Sequence, residues 1–119
     1  MKPLIPSLFK VVTQAQWQQA QESGLIPLCG ADQAHGHIHL NYYQSLEQVT
    51  SHYFGADDEP LALRLDGDRL AEYVKEFDAS DDKPWPQPCA KLPQLSLEMV
   101  TELLHFDYQQ ETGNFTLQE

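Results

Sequence analysis

The chain has 119 residues, within the usual size of one domain and long enough to bury a core without disulfides or a metal. Lys and Arg number 7 against 18 Asp and Glu, a net charge of −11, which argues against sequence-independent binding to nucleic acid or to an anionic membrane. Two cysteines far apart, Cys29 and Cys89, no apolar run near the roughly 20 residues of a membrane helix, and no signal-peptide pattern point to a reduced, cytoplasmic protein.

Ser7 to Val12 is short, apolar and β-branched at its end, and predicts a first strand. Thr13 with Gln16 three residues on forms a capping-box pattern, so a helix is expected from about Gln14 to Ser23, with Trp17, Ala20 and Gln21 along one side and Gly24 as its left-handed stop. Leu25 to Gln33 contains Pro27 and Gly30 and reads as a loop.

The stretch His35 to Asn41 departs furthest from ordinary composition, holding three of the five histidines. In an extended strand His35, His37 and His39 share one face while Ile38 and Leu40 share the other, so the aliphatic pair enters a core and the imidazoles line a groove.

Ser45 and Gln48 repeat the capping pattern, with Leu46, Val49 and Tyr53 at helical spacing and an end near Phe54 and Gly55. The acidic run Asp57 to Glu59 before Pro60 is a solvated turn, and Leu61 to Leu65 alternates as a strand. Asp68 is expected to cap a short helix carrying Leu70 and Val74. Asp78 to Pro88, with its aspartates and prolines around Trp85, predicts a long extended loop, anchored where the Trp85 ring folds back onto the body. Cys89 to Pro93 is expected as a short edge strand, Ser96 as the cap of a single turn through Met99, and Glu102 to Tyr108 as a last strand. The expected organisation is one domain over residues 1–108 and a polar, loosely ordered tail over 109–119. The fold class is α+β, with a mixed or antiparallel sheet and two or three short helices.

In this order the chain resembles the bacterial domain-of-unknown-function family 952. The resemblance is carried by Leu8-Phe9-Lys10-Val11, by Trp17 with Gly24, and by Asp32 to Asn41, matching a Leu-Tyr-Lys-Ile strand, a helix Trp and an Asp-x-x-Asp-Gly-Phe-Ile-His-Leu-Ser segment over about Leu8 to Phe106. It implies an ADP-ribosyltransferase-like fold, a split β-sheet around a cleft that holds NAD in that superfamily's enzymes, similar to RNA 2′-phosphotransferases. The second histidine of the phosphotransferase pattern falls on His39, while Lys10 occupies the place of the first and Val11-Val12 replace its Gly-Thr. The chain departs from the family at His35, His37 and Asn41, and its His-Tyr pair is absent around Pro88 to Lys91. What the resemblance implies is the fold and a nucleotide or NAD-derived ligand, with His39 and Lys10 as the candidate catalytic residues; His37, Asn41 and Trp85 are expected beside them as further cofactor contacts. Any catalysis would be a transferase reaction on NAD or an ADP-ribose-like substrate.

Two other readings remain open on the residues alone. Same-face positions two apart on a strand lie roughly 6.5 Å apart, close enough for imidazoles of His35, His37 and His39 to share a zinc, with His52 or Cys29 completing the shell. The acidic surface and the Trp85 loop also suit a non-enzymatic domain that binds a protein partner.

Overall fold

Two hydrogen bonds decide where the first helix begins. The Thr13 hydroxyl accepts from the Gln16 amide at 3.1 Å, and the Thr13 amide donates to the Gln16 side chain at 2.9 Å, the reciprocal box expected from the sequence. Helix α1 (Gln14–Ser23) ends at Gly24, which takes φ 78° and donates its amide to the Ala20 carbonyl at 2.8 Å. Ala20 is buried and Trp17 packs half-buried against the main core, so the helix is held by its cap, its stop and one narrow apolar stripe. Thr13→Ala is expected to cost about 1 kcal/mol; an unchanged denaturation midpoint would show that the box contributes nothing.

The computed structural model describes residues 7–27, 38–77, 81, 84, 85, 87–92 and 94–118. Its largest sheet is built on β1 (Leu8–Val12), which pairs with β5 (Leu61–Leu65) along its whole length. Outward from β5 come β9 (Val100–Gln109) and β10 (Asn114–Leu117); on the other side of β1 lies the two-residue β4 (Asn41–Tyr42). A second sheet orders β3 (Ile38–His39), β7 (Gln87–Ala90) and β6 (Val74–Phe77), and a short ribbon joins β2 (Leu25–Ile26) to β8 (Leu95–Ser96). Every strand pairing among the described residues is antiparallel. With α1, α2 (Leu46–Tyr53) and the single turn α3 (Gly67–Leu70), the architecture is α+β, with three short helices among the described residues.

The alternation of β1 and β5 separates two cores. Leu8, Val12, Leu61, Leu63 and Leu65 face one side, where Ile38, Leu40, Ala90, Leu70, Leu95 and Ala20 close over them. Phe9, Val11 and Ala62 face the other, against Leu46 of α2 with Phe54, Leu104, Phe106 and Leu117 around them. Both faces of the large sheet are thus covered, which is why β1 is buried at all five positions.

Four local expectations are corrected. α2 starts where expected, but Ser45 donates no side-chain cap: it lies in a 3-10 turn, Tyr43–Ser45, at φ −98°, ψ −8°, whereas a capping residue needs an extended backbone. Asp66, not Asp68, caps α3, accepting from the amides of Asp68 and Arg69 at 3.2 and 3.3 Å. Val74 leaves the helix for β6, because pairing with β7 overrides helical spacing. Gln87 to Ala90 belongs to a central strand rather than to a loop and an edge.

The C-terminal residues differ as well. Gly113, at φ 73°, turns the chain back, and β10 pairs with β9 instead of trailing as a polar tail. Phe115 is buried there, edge-on to Tyr108 and Phe106 at ring separations of 5.1 and 6.2 Å.

Candidate functional site at the split between the sheets

Five consecutive residues serve both larger sheets. Ile38 and His39 pair with Ala90 and Cys89 of β7, and the Leu40 amide donates to the Pro88 carbonyl at 2.8 Å. Asn41 and Tyr42 then pair with Phe9 and Leu8 of β1. The chain therefore leaves one sheet and enters the other at Leu40. As the pattern predicted, Ile38 and Leu40 are buried in the main core, and His39 is half-buried on the opposite face of its strand.

β4 ends after pairing with two residues of β1, so Lys10 lies one step beyond its reach, in register with Leu63 of β5. By alternation it shares the face of Leu8 and Val12, toward the second sheet. It is only 5% exposed. A cation at the centre of a leucine- and valine-lined face, at the row where the sheet opens, is an unusual placement. Asn41, also buried, lies opposite Phe9 on the far face of the same sheet.

Tyr42 spans the split from the other side. Its hydroxyl donates to the Glu76 carboxylate of β6 at 2.6 Å, joining the two sheets through side chains. Burial, the hydrogen bond to Glu76 and the carboxylate charge together push the phenol from 10.0 up to about 12. The folded state then holds this proton more tightly than the unfolded chain, so its contribution is complete below pH 10 and is lost as pH rises toward about 12. Wild-type stability is expected to fall more steeply across that window than that of Tyr42→Phe. Parallel decline of the two in denaturant titrations at each pH would contradict it.

The remaining candidates are dispersed. Lys10 faces the main core while His39 points away from it, so the two do not share a strand face. His35, His37 and Cys29 lie outside the described residues. Among the described residues no group of three or more His, Cys, Asp or Glu side chains is placed to hold a metal ion. Trp85 is buried, edge-on to His52 and Tyr53 of α2 at 5.5 and 6.0 Å, and so anchors its segment to the body as expected. His52 is correspondingly engaged in an aromatic cluster.

Open depressions occur elsewhere. One of about 540 Å³ lies between α2 and β10, lined by Glu47, Gln48, Ser51, His52, Asn114, Phe115 and Thr116. Another of about 290 Å³ lies between Trp17 and Gln21 of α1 and residues 97–103. The Tyr42–Glu76 pair was not foreseen from sequence. Its members are 34 residues apart, and Glu76 stands in a stretch that local signals do not mark as a strand.

Comparison with known proteins agrees with this fold. Residues 11–100 match the family profile described as "Protein of unknown function (DUF952)". The crystal structure of protein CC0527 from Caulobacter crescentus superposes with a TM-score of 0.76 at 20% identity, covering 92% of this chain and 93% of that one. The solution NMR structure of the same protein gives 0.71 at 22% identity, covering 91% and 90%. At that identity the likeness establishes the fold. No curated protein matches the sequence.

Proposed function

The chain belongs to the DUF952 family, and from that footing we propose that it is a ligand-binding protein of ADP-ribosyltransferase-like type, taking a nucleotide or NAD-derived ligand at the split between its sheets. Lys10 is the ligand's phosphate partner at the row where β4 ends, and His39, which faces away from Lys10 across the edge strand of the second sheet, is a separate contact at the rim. The observation that carries this reading is the burial of Lys10 at the row where β4 leaves β1. An ammonium there supplies a strong point charge in a low-dielectric setting, which suits phosphate. The match of Ile38-His39-Leu40 to the Val-His-Leu of the phosphotransferase strand supports the same ligand class.

Thermal shift with ADP-ribose, NAD and inorganic phosphate tests the reading. A ligand at 100 times its dissociation constant stabilises by about 2.7 kcal/mol. Wild type is expected to shift with ADP-ribose or NAD, folded Lys10→Met to lose the shift, and His39→Ala to retain part of it. Absence of any shift in wild type at millimolar ligand would remove the proposal. Zinc found in untagged protein, with a midpoint that falls on chelation and in His39→Ala, would instead favour the histidine strand as a metal site.

A further inference from the structure

Among the described residues β10 is the last strand of the large sheet, with β9 on one side only. An edge strand presents a row of backbone donors and acceptors that another chain can pair with. Here that row is occupied by side chains of α2. The Ser51 hydroxyl accepts from the Phe115 amide at 2.8 Å and donates to the Phe115 carbonyl at 3.4 Å. The Glu47 carboxylate accepts from the Leu117 amide at 2.7 Å. Gln118 turns its amide the other way, to His105 of β9, which confirms that the odd-numbered residues face outward.

The match is geometric. Glu47 and Ser51 are four residues apart on a helix, an axial step of about 6 Å. Leu117 and Phe115 are two residues apart on a strand, a step of about 6.8 Å. The helix runs past the edge so that its oxygens meet successive outward residues. The Ser51 hydroxyl also takes both backbone groups of one residue, as the opposing residue does in a hydrogen-bonded antiparallel pair.

We infer that Glu47 and Ser51 of α2 act as a surrogate strand that blocks β10 from pairing, edge to edge, with β10 of a second copy of this chain. An unblocked edge would take a second copy of this chain, because antiparallel self-pairing of one strand satisfies both edges by two-fold symmetry. The alternating Asn-Phe-Thr-Leu sequence of β10, without charge or proline, does nothing itself to prevent that. The inference is independent of any ligand at the split.

Sedimentation velocity across a concentration series tests it, comparing wild type with Glu47→Ala/Ser51→Ala. Gln48→Ala, on the same helix and lining the same depression without bonding the edge, is the control. The double variant is expected to keep its circular dichroism and to form a species of twice the wild-type mass at concentrations at least tenfold below any at which wild type does. Glu47→Gln, which keeps an acceptor oxygen, is expected to behave as wild type. Adding Leu117→Pro, which removes an outward amide, is expected to restore the wild-type mass. A double variant that keeps the wild-type mass throughout overturns the inference, as does association that survives Leu117→Pro. Should the double variant lose its fold, Ser51→Ala alone is read by the same criteria.

Discussion

Phe9→Ala is expected to remove about 3–5 kcal/mol of stability, a large share of the 5–15 kcal/mol typical of a domain. Phe9 is 2% exposed on the central strand and packs among Val11, Leu46 and Ala62, with the Tyr43 ring 6.0 Å away. Its neighbours are anchored in two elements, β1–β5 and α2, so they have little freedom to collapse into the space left behind. Loss of the ring should also loosen α2, whose hold on the sheet depends on this smaller core. The check is a chemical denaturation midpoint with an unchanged slope; a loss under 1.5 kcal/mol would mean that the site relaxes more than other buried aromatic positions do.

A larger effect is expected one residue beyond His39. Leu40→Asp places a carboxylate in the dry space between the sheets, where Leu40 is 2% exposed. Burying an unpaired charge costs several kcal/mol, enough to leave the variant unfolded at neutral pH. His39→Ala, on the half-buried opposite face, is expected to cost about 1 kcal/mol and leave a folded protein. Adjacent substitutions with such different outcomes follow from a strand that faces the core on one side only. Circular dichroism showing Leu40→Asp folded, or His39→Ala unfolded, would refute that assignment.

What could be read from sequence follows how local the determining contacts are. α1 was legible to the residue because its cap is a bond between Thr13 and Gln16 and its stop is the left-handed Gly24. β5 was legible from the alternation of its leucines. β7 was not, since Pro88 lacks an amide and argues against a central strand; the structure tolerates it because its carbonyl, not its nitrogen, receives Leu40. β10 carried a turn signal in Gly113-Asn114 and alternation in Phe115 and Leu117, outweighed by the polar residues around them.

The site divides in the same way. Ile38 and Leu40 disclosed which way His39 points, because the period of a strand is local information. The burial of Lys10 was open to a sharper reading: Leu8 and Val12 are apolar on one face and Phe9 and Val11 on the other, the mark of a strand covered on both sides. The Tyr42–Glu76 bond and the Ser51 and Glu47 contacts join residues that only the folded sheets bring together.

β1 bears on how quickly the chain can reach this state. Its partners on both flanks, β4 and β5, lie far downstream, and β5 in turn waits for β9. The hairpin of β9 and β10 is local by contrast, closed by the turn at Gly113. Closing large loops before any contact rewards them slows the search, so refolding on a timescale of about milliseconds to seconds is the expectation for such non-local strand pairing. The hairpin of β9 and β10 can form early, whereas β1 finds its short partner only at Asn41–Tyr42 and its full-length partner only at Leu61–Leu65.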